Sequence, residues 1–200
     1  RLSHANIVQL IGFVEDLKNQ KAWIVLSWEP NGNVREFLAS GKWEIPERIS
    51  LIKDMFEGLK YLHTRQPPIC HGDLKSLNIL VSSSYHAIVT DFGSARVLKN
   101  ELTLTGPHWT LRWAAPELVA VEKERPSLAS DIWSAGWVCW EMMTDRVPFE
   151  DLKLEHVIVL KVMQGELPLI HEDADVGQVS RLCSLMTDCW RYKPEERPHV

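Results

Sequence analysis

The stretch Leu128–Thr144 constrains the fold more than any other. It is apolar all round rather than along one stripe, so it cannot lie on a surface and is expected as a buried central helix. Residues 47–63 show the opposite pattern, with Ile49, Ile52, Met55, Phe56, Leu59 and Leu62 at three-to-four spacing. That predicts an amphipathic helix with one buried face. Ile45-Pro46 supplies its entry and Pro67-Pro68 its exit. Residues 34–39 read as a short helix, and residues 154–164 and 179–190 as further helices. The β-branched run at residues 7–14 reads as a strand, followed by a polar turn at 15–21 and an antiparallel partner at 22–26. Asn31-Gly32-Asn33 breaks the chain after it. Two more short strands are expected at residues 79–81 and 87–89. The fold class implied is α+β, mainly helical.

The 200 residues are 45% apolar and 24% charged, an ordinary globular composition with enough length for a sizeable core. A net charge of −5 suggests neither a nucleic-acid surface nor an anionic-membrane surface. There is no apolar run of bilayer-spanning length and no signal-peptide pattern. Cys70, Cys139, Cys183 and Cys189 lack paired metal-ligand spacing, so free buried thiols in a reducing, cytoplasmic compartment are expected. Most of the nine Trp residues are expected in the core.

The chemistry is concentrated in His71-Gly72-Asp73-Leu74-Lys75-Ser76-Leu77-Asn78, followed by Asp91-Phe92-Gly93. A carboxylate, a lysine and a carboxamide lie within six residues, and a second carboxylate comes a hairpin later. Phosphoryl transfer uses such a set: one Asp to accept the proton of the attacking hydroxyl, a Lys to neutralise charge on the phosphoryl group, and hard oxygen ligands for magnesium. Ala115-Pro116-Glu117 follows after a long irregular segment, and then Asp131-Ile132-Trp133-Ser134-Ala135-Gly136. Four signatures in this order resemble the eukaryotic protein kinases, in the serine/threonine and tyrosine-kinase-like group.

The resemblance implies a protein-kinase-like fold and a single partial kinase domain over residues 1–200, with an upper-lobe remnant at 1–26, a hinge at 27–33 and a lower lobe at 34–200. It implies that Asp73 and Lys75 are catalytic and that Asn78 and Asp91 hold Mg2+. It also implies that Leu26 (at the gatekeeper position), the hinge residues Ser27, Trp28 and Glu29, and Leu80 take the adenine of ATP. Plain core packing is the competing reading for Leu26 and Trp28. Gly93 is expected to free the backbone so that Asp91 can turn towards the metal. Trp109 to Glu117 resembles the substrate-binding turn, with Thr110 bonded to the catalytic Asp and Lys and Trp109 where many members have Gly. Arg197 matches the family arginine that pairs with Glu117. Asp131 is expected to accept amides from the catalytic loop, or to serve its own helix start, or both.

Two departures bear on function. Gly72 stands where many kinases have Arg, so no charge is available there to pair a phosphate. Dependence on phosphorylation of Thr103 or Thr105 is therefore expected to be weak, with Arg96 the remaining local cation. The family's Gly-rich loop, strand lysine and helix glutamate have no counterpart in these residues, and Lys18 and Lys21 are no stand-ins. Residues 1–200 alone are expected to transfer little phosphate, and Ile7, Val8, Leu10 and Ile11 to form an exposed apolar strand. The implied function is transfer of the ATP γ-phosphate to Ser/Thr hydroxyls of protein substrates. An inactive kinase-like scaffold is the rival, and a small-molecule kinase of related fold a third reading.

Overall fold

In a computed structural model, residues 2–98, 109–120, 124–168, 170 and 179–200 are described. Two strands open the chain, β1 (Leu10–Asp16) and β2 (Lys21–Leu26), followed by helices α1 (Val34–Ala39) and α2 (Ile45–His63). The short strands β3 (Ile69–Cys70), β4 (Ile79–Val81), β5 (Ala87–Val89) and β6 (Arg96–Val97) come next. Helices α3 (Pro116–Ala120), α4 (Leu128–Thr144), α5 (Glu155–Met163) and α6 (Ser180–Cys189) complete the order. None of the described helices is long and apolar enough to cross a membrane.

α4 has the bounds its sequence predicts, and every residue from Ser130 to Met143 is buried. Ser127 starts it with a capping box: its hydroxyl accepts from the Ser130 amide, and the Ser130 hydroxyl accepts from the Ser127 amide. Asp145 ends it in the left-handed region at φ 56°. The helix lies against α2 on one side and α6 on the other. Gly136 makes the second contact possible, because a Cβ there would stand 2.7 Å from the Trp190 indole nitrogen and 3.0 Å from Cys189 Cβ. Trp113, Trp133, Trp137, Trp140 and Trp190 lie in the core, whereas Trp23 and Trp28 are exposed. All four cysteines are free and buried, as expected.

The buried face of α2 is rotated from the predicted one. Leu51 and Arg48 turn inward and Ile49 is exposed, while Ile52, Met55, Leu59 and Leu62 are buried as expected. Arg48 can be buried because its guanidinium meets Asp145 at 2.7 and 2.8 Å and the Met142 carbonyl at 2.5 Å. A charged side chain that finds such partners displaces an apolar one from the interior.

The first strand also differs from its prediction. β1 begins only at Leu10, and the preceding residues do separate work. Ile7 forms a parallel bridge with Val89, the Val8 amide donates to the Val89 carbonyl at 2.9 Å, and Asn6 donates to Ala87. Ile7 and Val8 are therefore buried, which corrects the expectation of exposure at these two positions. The exposed apolar ribbon lies beyond them. Ile11, Phe13, Val14, Trp23 and Ile24 stand out from the antiparallel β1–β2 pair, which pairs Phe13 with Ile24 and Val14 with Trp23.

Candidate active site

The loop from His71 to Asn78 contains little regular structure, so its amides and side chains need partners from elsewhere. Asp131, in the first turn of α4, supplies most of them. Its two carboxylate oxygens accept from the His71 amide at 2.7 Å, the Gly72 amide at 2.8 Å and the His63 ring at 2.9 Å. Ser127 caps the helix, so Asp131 serves the loop and not its own helix start. Burial works against the Asp131 charge. The hydrogen bond and field of His63 and the Gly72 amide outweigh it and hold the carboxyl below its usual value. The same anion, added to burial, pushes the neighbouring Cys70 thiol up. The His71 ring completes the turn. Its Nε2 donates to the Thr90 carbonyl at 2.9 Å and its Nδ1 accepts from the Asp73 amide at 3.3 Å.

Asp73 is thereby presented to the turn at Thr110. Its Oδ1 accepts from the Thr110 amide at 2.9 Å and the Thr110 hydroxyl at 2.7 Å. Its Oδ2 accepts from Lys75 Nζ at 2.6 Å, and Lys75 also donates to the Thr110 hydroxyl at 2.8 Å. The carboxylate, ammonium and hydroxyl form one closed cluster, as the resemblance implied. Asn78 donates from its amide nitrogen to the Asp73 carbonyl at 2.9 Å, which fixes which end of the carboxamide is the oxygen.

Asp91 is exposed, one residue after Thr90, whose amide donates to the Asn78 carbonyl at 3.0 Å. The backbone thus places Asp91 directly after the residue bonded to Asn78. The left-handed residue here is Asp91 itself, at φ 62°, with its carboxylate accepting from the Gly93 amide at 3.3 Å. Gly93 is not itself left-handed; Asp91 makes the turn, as a short side chain able to bond its own backbone can. Among the described residues no group of three or more His, Cys, Asp or Glu is placed to hold a metal. A carboxylate and a carboxamide oxygen still fit magnesium, which takes one or two protein ligands and completes its shell from phosphates and water.

The segment around residues 27–33 lies beside Leu80. Asn33 bridges Leu80, and the Val81 amide donates to the Gly32 carbonyl at 2.9 Å. Leu26 ends β2 opposite Leu10, and Leu26 and Trp28 are both exposed among the described residues. The Ser27 amide is already bonded to the Gln9 carbonyl at 3.1 Å.

Gly72 has a steric role as well as an electrostatic one. It sits at φ 84°, and a Cβ there would fall 2.6 Å from the Ser94 carbonyl oxygen. Gly72→Arg is expected to destabilise the protein by at least about 1–2 kcal/mol, the cost of a left-handed side chain, before the clash is counted. A urea-unfolding midpoint unchanged from wild type would contradict this. Arg96, the expected local cation, donates to the Pro126 carbonyl at 2.9 Å. Thr103 and Thr105 lie outside the described residues.

Sequence reading overlooked several residues of the site. His63 sits at the end of α2, where its ring reaches Asp131. Arg112 holds the substrate turn against residues 148–152, donating to the carbonyls of Pro148 and Leu152 at 2.8 Å each, and to that of Phe149. Glu141, a carboxylate inside the apolar α4, accepts from Ser76 and Trp113. A charged residue inside an otherwise apolar helix was the available signal for Glu141.

Burial pushes the Glu141 carboxyl up from 4.5 to about 7, with the bonds from Trp113 and Ser76 pulling the other way. A folded pKa above the unfolded one means that the native state binds the proton more tightly. The stability this confers is full below pH 4.5 and is lost as pH rises through about 7. The shift corresponds to about 3 kcal/mol. Glu141→Gln is expected to flatten that part of the stability–pH curve, measured by urea unfolding from pH 4.5 to 8 on both proteins. Parallel curves would contradict the assignment.

The comparisons with known proteins agree with this geometry. The family model for the protein tyrosine and serine/threonine kinase matches residues 1–200. The chain belongs to this protein kinase family. A serine/threonine-protein kinase/receptor of Acanthamoeba polyphaga mimivirus is 33% identical over the full chain, which covers 12% of that protein. The serine/threonine-protein kinase STY46 of Arabidopsis thaliana is 31% identical over 99% of the chain and 33% of its own length. The mitogen-activated protein kinase kinase kinase mkh1 of Cytospora mali is 35% identical over 98% of the chain and 11% of its length. The kinase domain sequence here thus spans about a third or less of each of these relatives.

Proposed function

We propose that the intact protein transfers the γ-phosphate of ATP to serine and threonine hydroxyls of protein substrates. The observation that carries this reading is the Asp73–Lys75–Thr110 cluster. Asp73 accepts the hydroxyl proton as the substrate oxygen bonds to the γ-phosphorus and the bond to the β–γ bridging oxygen breaks, releasing ADP. Lys75 holds Asp73 in place and offsets negative charge on the transferring group. Asn78 and Asp91 would hold Mg2+, which neutralises phosphate charge when bound. Leu26 and Leu80 would enclose the adenine, with its edge read by backbone groups of the hinge residues Ser27, Trp28 and Glu29. The Ser27 amide is engaged by Gln9, so the donors fall to Trp28 and Glu29.

In this reading residues 1–26 belong to the upper lobe, residues 27–33 to the hinge and residues 34–200 to the lower lobe. Four buried free thiols support a reducing, intracellular location. The acidic net charge of −5 supports a protein partner over a nucleic acid. The scaffold reading is not favoured, because Asp73, Lys75, Asn78 and Asp91 are all retained and the first three are bonded to one another. The test is a peptide-library assay of the intact protein with labelled ATP and Mg2+. Phosphoserine and phosphothreonine products are expected. Predominant phosphotyrosine would overturn the acceptor assignment, and nucleotide binding without transfer would restore the scaffold.

A further inference from the structure

We propose that the cavity between the end of α4 and the loops on either side of α5 binds an arginine side chain presented by a protein partner. The cavity measures about 460 Å³, within the range of ligand pockets. It shares no residue with the Asp73 cluster, so the inference stands apart from the kinase reading. Its floor is aromatic. Trp137 and Trp140 meet edge to face at 5.7 Å, and Phe149 closes the wall with its ring 5.2 Å from Trp137. Phe149 does so from the left-handed region, at φ 55°. A bulky side chain rarely adopts that conformation, and backbone strain of this kind collects at binding and catalytic sites.

The mouth is acidic. Glu150, Asp151 and Glu166 line it, against Arg146 as the one cation among the lining residues. Lys161 pairs with Glu166, whereas Asp151 has no ion-pair partner among the described residues. A ligand suited to floor and mouth together has an apolar stem and a cationic head. Arg146 shows which head. Its guanidinium lies 5.7 Å from the Trp140 ring centroid, and its Nε donates to Glu150 at 2.6 Å. Indole and carboxylate thus already hold one guanidinium here. A flat ion over a ring face, with its N–H groups on an acid, is a geometry that suits arginine better than lysine. The loop that carries the acids is also fastened towards the turn at Thr110, because Arg112 donates to its Pro148 and Leu152 carbonyls. An arginine held in the cavity therefore belongs to a chain lying beside that turn, and the net charge of −5 favours a basic one.

The experiment titrates the intact protein, without nucleotide, with Nα-acetyl-arginine amide and follows binding by saturation-transfer NMR. Nα-acetyl-citrulline amide, which keeps the shape and lacks the charge, is the comparison. The arginine amide is expected to bind, and the citrulline amide at least about fivefold more weakly. Asp151→Asn and Glu166→Gln are each expected to weaken arginine binding by about two- to fivefold. Arg146→Ala is expected to tighten it by about two- to fivefold, because the guest guanidinium then takes the Trp140 face and Glu150 for itself. The side chains of Arg146 and Glu166 are 52% and 49% exposed, and Asp151 is exposed, so the fold is expected to survive all three changes. No binding of the arginine amide would overturn the proposal, as would equal binding of the two amides or unchanged binding in both acid variants. Unchanged or weaker binding to the Arg146→Ala protein would overturn the placement of the guest on Trp140. Phosphate transfer does not enter the readout, so a failure of the kinase reading is distinguishable from a failure of this one.

Discussion

Replacing Asp73 by Asn is expected to lower the proposed phosphoryl transfer of the intact protein by about 10²–10⁴-fold, the usual effect of losing a general base. The substitution keeps the shape of the side chain. The carboxamide oxygen can still accept from the Thr110 amide and hydroxyl, as Oδ1 does now. What would be lost is the group proposed to take the proton, together with the anion that holds Lys75 at 2.6 Å. Asp73 and Lys75 are 15% and 18% exposed at their side chains, and Lys75 keeps the Thr110 hydroxyl as a partner, so the fold is expected to survive loss of the charge. Circular dichroism and the thermal midpoint should therefore match wild type while single-turnover transfer collapses. Undiminished transfer would remove Asp73 from the mechanism.

Glu117→Ala is expected to destabilise the protein by about 3–5 kcal/mol, because it leaves a buried cation without its anion. Arg197 has no exposed side-chain surface, and its guanidinium meets the two Glu117 oxygens at 2.7 and 2.8 Å. It also donates to the carbonyls of Ala129, Arg191 and Tyr192 and stacks 5.1 Å from the Trp133 ring. Glu117 is 21% exposed at its side chain, so water can reach it when Arg197 is removed. Arg197→Met is therefore expected to cost less than Glu117→Ala, with the methionine filling space beside Trp133. Urea unfolding of both variants measures the order. The reverse order would show that the carbonyls alone satisfy Arg197.

The elements with the plainest patterns were legible in the sequence. α4 could be bounded because a run apolar on every side has one environment open to it. Asp73, Lys75 and Asn78 could be picked out as one candidate site because they lie within six residues, and the Thr110 contact followed from the resemblance. What could not be read were long-range exchanges of partners. Arg48 looks like a surface residue until Asp145, 97 positions away, is placed beside it. Ile7 and Val8 look like the start of a ribbon, but Val89 takes them first. Gly93 looks like the flexible residue of its turn, although Asp91 adopts the left-handed conformation and bonds the Gly93 amide. Glu141 and His63 become part of the site only through the tertiary fold.

The hold of Asp131 on the catalytic loop also sets how that loop exchanges hydrogen with water. Loop amides ordinarily trade their protons for solvent deuterium quickly. Those of His71 and Gly72 donate instead to a carboxylate 60 and 59 residues further on, inside a helix enclosed by α2 and α6. Freeing them means separating that helix from its neighbours, so their protection should approach that of the core itself. It also orders events in time. Contacts this distant in sequence form only after the intervening chain has been closed into a loop, so the catalytic loop is expected to acquire its shape late in folding, after α4.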